Sequence, residues 1–313
     1  MKVLLTGYAG FLGNHIARAL RKENHTLRVV LHTSTVARRD LPAETEIVWG
    51  SVADADTVNR AVAGVDSVVH CAWSFRAPEP GHPGINIPGT ELLFSESVAA
   101  GVKSFAFVSS VAVYGMEENG GAEIDERTPL TKLQEDRYPV EKIQIEKMLH
   151  ALERGKTRLG IFRPGPIFDE TKSFIKKIAG RKGFCLAIGL GNGQNLMPNI
   201  HASDVASAIT AWLARGKDGD VFNVTPTGQL AQKQWYRSWG AQKQLNLKQL
   251  FVPPALVRAG FFGVRVLKKG LGKPGKSNID YALACATRNL RYSNAHLRKS
   301  LGWQDVETKK YTG

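Results

Sequence analysis

The sequence predicts an α/β fold in which a doubly wound parallel sheet is joined to a smaller C-terminal domain. Three observations predict it: apolar runs alternate with amphipathic segments, a glycine-rich turn follows the first run, and 313 residues suffice for a larger and a smaller domain. Apolar runs in this order are typical of parallel strands that helices cover on both faces.

The elements follow one another along the chain as short apolar runs and helical segments. The predicted strands lie at 2–6, 27–31, 46–48, 67–70, 105–109 and 159–162. The predicted helices lie between them, at 14–21, 55–62, 91–100 and from about 138 to 152. We expect the sheet domain to comprise 1–165 and about 201–228, and the smaller domain about 166–200 and 229–313.

Three glycines lie at the first predicted strand-to-helix turn. Gly7, Gly10 and Gly13 are spaced three residues apart between the strand at 2–6 and the helix at 14–21. Such a turn aims helix amides and the positive end of the helix dipole at an anion, and glycine lets a pyrophosphate approach the backbone. A glycine triplet alone also fits any tight turn, but the alternating strands and helices around it favour a Rossmann-type dinucleotide site.

Tyr138 and Lys142 form a candidate acid–base pair on the last of these helices. Their spacing of four residues places both side chains on one helix face. A phenol ordinarily has a pKa of about 10, and a neighbouring ammonium should lower that pKa toward neutral pH. The pair suits proton exchange with a substrate, although the same spacing alone also fits a solvated helix face.

Several short motifs, in a fixed order, resemble one enzyme superfamily. They are GYAGFLGNH at 7–15, GSVAD at 50–54, HCA at 70–72, NIPGT at 86–90, VSSVAVYG at 108–115, YPVEK at 138–142, RPGPIF at 163–168 and IHASDVASAI at 200–209. On these residues the chain resembles the extended short-chain dehydrogenase/reductase superfamily, which includes the NAD-dependent epimerases and dehydratases. The resemblance becomes loose beyond about Gln229.

The resemblance implies hydride transfer between a nicotinamide cofactor and a carbonyl or hydroxyl carbon. Tyr138 would exchange the proton on the substrate oxygen, Ser110 would orient that oxygen, and Lys142 would hold the nicotinamide ribose. Ser109 is a rival for the hydroxyl, but position relative to Tyr114 favours Ser110. Family members commonly dimerise through the helix that carries Tyr138, so a homodimer is expected.

The same resemblance implies which residues hold the cofactor. They are Gly7, Gly10, Phe11, Leu12, Gly13, His32, Thr33, Arg38, Ser51, Val52, Cys71, Ala72, Tyr138, Lys142 and Pro164. His32 takes the place of the acid that binds ribose hydroxyls in NAD-specific relatives, and the Arg38 guanidinium can accept a 2′-phosphate. NADP is therefore favoured over NAD, although Arg38 also fits a solvated loop. Cys71 is expected to be a packing residue rather than a nucleophile.

The motif after the last predicted strand favours an apolar substrate. Arg163 is followed by PGPIFD, whereas nucleotide-sugar enzymes of the family generally carry an Asn in a stretch like RYFNVYG. We therefore expect an NADP-dependent reductase or dehydrogenase that acts on a carbonyl or hydroxyl group of a lipophilic or aromatic compound. A nucleotide-sugar epimerase is the alternative, ahead of a 4-keto reductase or dehydratase. A noncatalytic NADP-binding sensor is disfavoured because all three catalytic candidates are present.

Basic residues concentrate in the C-terminal part. Of 42 lysines and arginines, 16 follow Gln232, with three of the 28 acidic residues, so this part carries most of the net charge of +14. These basic residues could bind an anionic group on the substrate, or they could form a basic surface that is exposed to solvent. The segment 251–273 mixes apolar and basic residues, and we favour a lid over the substrate above a helix that rests on an anionic membrane surface.

Other classes of partner and site are not expected. The basic residues form no recognised nucleic-acid module, no apolar run approaches about 18 residues, and the three cysteines lack metal-ligand spacing. We therefore expect a cytoplasmic protein with reduced thiols, a small-molecule substrate, no metal centre and no nucleic-acid partner.

Overall fold

The computed structural model describes most of the chain. The described residues are 1–32, 41, 44–76, 84–116, 121–131, 136–171, 178–179, 185–259, 283 and 287–312. The predicted cofactor residues Thr33 and Arg38 lie outside these ranges, as does most of the segment 251–273.

The strands and helices alternate through the first two thirds of the chain. In chain order the strands are β1 (Lys2–Thr6), β2 (Thr26–Leu31), β3 (Glu46–Trp49), β4 (Ser67–His70), β5 (Ser104–Val108), β6 (Glu123–Ile124), β7 (Arg158–Pro164), β8 (Ile167–Phe168), β9 (Ile178–Ala179), β10 (Cys185–Leu190), β11 (Leu196–Met197), β12 (Ile200–His201), β13 (Asp220–Val224), β14 (Leu230–Ala231), β15 (Leu247–Val252) and β16 (Arg291–Tyr292). The helices are α1 (Phe11–Lys22), α2 (Ala55–Val62), α3 (Asn86–Ala99), α4 (Arg137–Ala151), α5 (Ala202–Arg215), α6 (Gln232–Gln242), α7 (Ala295–Leu301) and α8 (Val306–Thr312).

Seven parallel strands form the central sheet, in the spatial order β13-β7-β5-β4-β1-β2-β3. The chain runs outward from β1 to β3 and then returns to β4 on the other side of β1, so the winding reverses between β1 and β4. This order confirms the predicted doubly wound sheet. Ligands of open α/β sheets bind outside the carboxyl ends of the strands at such a reversal.

Helices cover both faces of this sheet. Helices α1, α5 and α7 pack on one face, and α2, α3 and α4 pack on the other. In β1, Val3 and Leu5 lie toward the first face and Leu4 toward the second, as the two-residue period of a strand requires. Burial on both faces explains why β1 is a continuous apolar run.

Several elements, among them β13 and α3, differ from the sequence prediction. No strand is predicted at the position of β13, because Asp220 and Asn223 interrupt its apolar pattern, yet it pairs with β7 at the edge of the sheet. Helix α3 begins at Asn86, five residues before its predicted start at 91. Pro88 lies in its first turn, where a missing amide costs no helical hydrogen bond.

A smaller sheet, formed by β9, β10 and β15, lies in the part of the chain after β7. Strands β10 and β15 are parallel, and β9 is antiparallel to β10. Helix α6 contacts this sheet, and its Trp235 and Trp239 are buried in one cluster with Phe168 and Tyr311. Among the described helices, none has the length and hydrophobicity needed to cross a bilayer.

Candidate active site

Two adjoining cavities open at the carboxyl ends of the central strands. The larger encloses about 530 Å³ and the smaller about 240 Å³. Trp73, three residues after β4, lines both of them. The two cavities therefore form one cleft at the point where the winding of the sheet reverses.

The glycine turn after β1 forms one wall of this cleft. Gly7 has a φ of +80°, and a Cβ there would lie 2.6 Å from the Ala72 amide nitrogen, while a Cβ on Gly13 would overlap the Gly7 carbonyl oxygen. Helix α1 begins at Phe11 after Gly10, with no side-chain cap and no acidic residue in its first turn. A positive helix end without a carboxylate, beside closely packed backbone, fits the pyrophosphate of a dinucleotide.

The smaller cavity collects five of the predicted cofactor residues. Gly7, His32, Ser51, Val52 and Ala72 line it at the ends of β1 to β4. Its size and its position beyond the glycine turn fit the adenosine half of a dinucleotide.

The larger cavity brings together the predicted residues of the reacting side. These are Leu12, Cys71, Ser110, Tyr138, Lys142 and Pro164. Most of the other lining side chains are apolar or aromatic, among them Trp73, Phe75, Met116, Leu196, Met197 and Leu290. Lys142 and Arg288 are the cations among the described lining residues, which include no carboxylate.

Helix α4 positions Tyr138 and Lys142. Its N-cap residue, Asp136, accepts a hydrogen bond from the Tyr138 amide at 2.9 Å. Lys142 lies one turn further and is buried, and its Nζ donates to the Val108 carbonyl oxygen at 2.6 Å. Both side chains reach the same cavity, as their spacing predicts.

Burial shifts the pKa values of Lys142 and Tyr138 in the directions that favour their neutral forms. It lowers the pKa of the Lys142 ammonium to about 7, while the nearby Glu146 carboxylate acts to raise it. Burial also raises the pKa of the Tyr138 phenol, against the lowering effect of a hydrogen bond with Ser110. The prediction that Lys142 brings down the Tyr138 pKa is therefore wrong, because desolvation outweighs the other effects and the Lys142 Nζ lies 5.9 Å from the phenol ring centroid.

Ser110 and Ser109 both line the larger cavity but differ in their hydrogen bonds. Ser110 Oγ accepts from the Ala112 amide at 3.2 Å, and Ser110 lies close enough to Tyr138 to lower the pKa of its phenol. Ser109 Oγ is buried and has no hydrogen-bond partner among the described residues. Because Ser110 acts on the Tyr138 phenol and lines the same cavity, it is the serine positioned to meet the same substrate oxygen.

A buried ion pair joins α4 to the central sheet. Arg163 on β7 donates to Glu146 on α4, with 2.5 Å between Nη2 and Oε2, and both side chains are buried. Arg163 Nη1 also donates to Tyr114 Oη at 2.7 Å, and Tyr114 Oη donates to Asn223 Oδ1 at 2.8 Å. The sequence analysis missed this network. Two features of the sequence could have indicated it: Arg163 lies inside an apolar strand, and Glu146 lies one helical turn after Lys142.

The end of β4 is fixed by neutral side chains. Burial raises the pKa of the Cys71 thiol to about 12, and its Sγ donates to the Thr6 carbonyl oxygen at 3.0 Å. Burial lowers the pKa of His70 to about 3, and its ring nitrogens lie 2.6 Å from Thr6 Oγ1 and 2.9 Å from Thr90 Oγ1. A buried neutral thiol is a poor nucleophile, which agrees with the packing role predicted for Cys71.

Two aromatic residues that the sequence analysis missed lie against Tyr138. Trp73 meets the Tyr138 ring edge to face at 5.3 Å between centroids, and Phe75 stacks on it at 5.9 Å. The Lys142 Nζ lies 3.8 Å from the Trp73 ring centroid, a cation–π contact. The segment after β4 is irregular, so its sequence has no periodicity that could predict where the Trp73 and Phe75 side chains point.

Comparison with known proteins decides the family. The model of the NAD dependent epimerase/dehydratase family matches residues 3–225. The chain belongs to this family. Its members are enzymes that depend on a nicotinamide dinucleotide, and the resemblance to extended short-chain dehydrogenases/reductases is confirmed.

Relatives cover nearly the whole chain at low identity. The chain is 23% identical over 318 residues to the sterol-4-alpha-carboxylate 3-dehydrogenase, decarboxylating, of Dictyostelium discoideum, covering 96% of this chain and 95% of that protein. It is 26% identical over 305 residues to N-acetyl-alpha-D-glucosaminyl-diphospho-ditrans,octacis-undecaprenol 4-epimerase of Escherichia coli O157:H7. The match covers 94% of this chain and 88% of that protein. The structure of UDP-glucose 4-epimerase from Thermotoga maritima aligns with a TM-score of 0.73 at 20% identity, covering 100% of this chain and 96% of that one, and shows the shared fold.

Proposed function

We propose that this protein is an oxidoreductase that transfers hydride between NADP(H) and a carbonyl or hydroxyl carbon of a lipophilic or aromatic substrate. The observation that carries the proposal is the larger cavity, where Ser110, Tyr138 and Lys142 meet in about 530 Å³ between largely apolar walls. Apolar walls favour a substrate that loses apolar surface to them, and the few polar groups orient one oxygen. Both relatives, a sterol carboxylate dehydrogenase and an undecaprenol-linked sugar epimerase, support a lipophilic substrate by their names.

Each part of the bound cofactor can be assigned to residues that line the cleft. The glycine turn would hold the pyrophosphate, and Leu12, Cys71 and Pro164 would line the nicotinamide half. Lys142 would hold the nicotinamide ribose. When bound, the nicotinamide supplies or accepts the hydride.

Tyr138 and Ser110 act on the substrate oxygen in this proposal. Burial raises the pKa of Tyr138, so the phenol stays protonated near neutral pH and is ready to donate its proton during carbonyl reduction. Ser110 donates a hydrogen bond to the same oxygen and stabilises the charge that develops there. The apolar walls exclude water from the reacting carbon.

The preference for NADP is tested at Arg38. Arg38→Ala is expected to weaken NADPH binding about tenfold or more and NADH binding much less, because a charge-assisted hydrogen bond to the 2′-phosphate is lost. Titration calorimetry with both dinucleotides measures this, and Arg39→Ala, which removes the same charge one residue further along the chain, is the matched control. An equal loss for both dinucleotides would refute the phosphate role.

A nucleotide-sugar epimerase is the second candidate, because the family includes epimerases and one of the two relatives is an epimerase. A nucleotide sugar brings a diphosphate, which cations normally hold. In the described part of the larger cavity the cations are Arg288 and Lys142, and Lys142 is assigned to the nicotinamide ribose. The reductase reading therefore ranks first.

One experiment separates the two candidates. NADPH and NADH binding is measured by calorimetry, and absorbance of the reduced nicotinamide is then followed with ketones, aldehydes and nucleotide sugars. Consumption of the reduced cofactor by an apolar carbonyl compound supports the reductase. Isomerisation of a nucleotide sugar in the presence of the oxidised dinucleotide, without net formation of the reduced one, supports the epimerase.

A further inference from the structure

Trp73 and Phe75 both contact the Tyr138 ring, and we call this pair the aromatic clamp. Trp73 meets Tyr138 edge to face, whereas the Phe75 ring is inclined only 21° to the Tyr138 ring. The Trp73 ring is also occupied by the Lys142 ammonium. Phe75 is thus the member of the clamp whose ring remains open to a ligand.

Phe75 is unusually open for a large apolar side chain. It is 82% exposed, the largest value among the exposed large hydrophobic residues in the described part of the chain. It also lines the larger cavity together with Ser110 and Tyr138. Whatever fills that cavity therefore covers Phe75, and covering it removes apolar surface from water.

We propose that Phe75 is a specificity-determining residue that stacks on a flat aromatic or conjugated ring of the substrate. The placement of the reacting carbonyl at Tyr138 rests on the proposed function. One side of the Phe75 ring meets Tyr138, so a carbonyl that reaches the phenol brings the adjoining ring system alongside Phe75. Flat π-systems gain offset stacking beyond the area they bury, and saturated rings of the same size do not.

The clamp is tested with two ketones that share one carbon skeleton. 1-Tetralone carries a fused aromatic ring, and 1-decalone is its saturated counterpart. In the full chain with its dinucleotide, Phe75→Leu is expected to lower the ratio of kcat/KM for tetralone over decalone about fivefold, because leucine keeps apolar area but loses the ring. Phe75→Tyr should restore the ratio. Leu256→Ala, at an exposed apolar residue that lines neither cavity, is the matched control and should leave it unchanged.

A binding measurement separates the clamp from the proposed reaction. Calorimetry with 2-naphthol and decahydro-2-naphthol should show tighter binding of the aromatic compound, and Phe75→Leu should remove about fivefold of that preference. If this occurs while the wild-type chain reduces neither ketone, the clamp stands and the proposed function fails. If 2-naphthol binds no more tightly than its saturated counterpart, or Phe75→Leu leaves the preference unchanged, the clamp is overturned.

Discussion

Tyr138→Phe is expected to lower kcat for carbonyl reduction by about 100-fold or more, because a positioned general acid contributes two to four orders of magnitude. The dinucleotide affinity should change little, since the substitution removes one hydroxyl and keeps the ring in contact with Trp73 and Phe75. The measurements are kcat with 1-tetralone and the dissociation constant of the dinucleotide by calorimetry.

The control for this variant is Tyr311→Phe. Tyr311 lies on α8, lines neither cavity, and loses the same atom when it is substituted. Its kcat should match that of the wild-type chain. A Tyr138→Phe variant that keeps most of its turnover would remove the phenol from the proton-transfer step.

Glu146→Ala is expected to destabilise the fold by about 3–5 kcal/mol, because it leaves the Arg163 guanidinium buried without its counter-ion. The two side chains are 1% and 6% exposed, so water cannot replace the lost carboxylate. Urea unfolding followed by circular dichroism measures the change in the free energy of unfolding.

Two control variants test whether the destabilisation comes from breaking a buried ion pair or simply from removing a charge. Replacing both partners, as in Glu146→Leu with Arg163→Met, should recover much of the stability, because no unpaired charge remains buried. Breaking the exposed pair between Lys103 and Asp66 by Lys103→Met should change the unfolding midpoint little, since Lys103 is 72% exposed. A Glu146→Ala variant as stable as Lys103→Met would mean that the pair contributes nothing to the fold.

The sequence predicted the parts of the site that depend on local spacing. Gly7 and Gly13 are required by a positive φ and a close approach, so they appear as a regular pattern that can be recognised. Tyr138 and Lys142 reach one cavity because a helix repeats its faces every four residues. The doubly wound parallel sheet followed from the alternation of elements, since parallel strands need helical crossovers between them.

The rest depended on tertiary packing. The direction of the Tyr138 pKa shift is set by how much protein surrounds the phenol, which spacing along a helix does not reveal. The contact of Phe75 with Tyr138 joins residues far apart in the sequence through an irregular segment. The ion pair of Arg163 with Glu146 likewise joins a strand and a helix whose register only the folded sheet defines.

Transfer of deuterium from the cofactor to a carbonyl carbon tests the central claim most directly. The chain is incubated with 1-tetralone and NADPH deuterated at both positions of nicotinamide C4, and the product is examined by mass spectrometry. The proposed function predicts 1-tetralol with one deuterium on its carbinol carbon. Absence of deuterated alcohol, together with conversion of UDP-galactose to UDP-glucose by the chain supplied with the oxidised dinucleotide and without net formation of the reduced one, would contradict it and identify an epimerase.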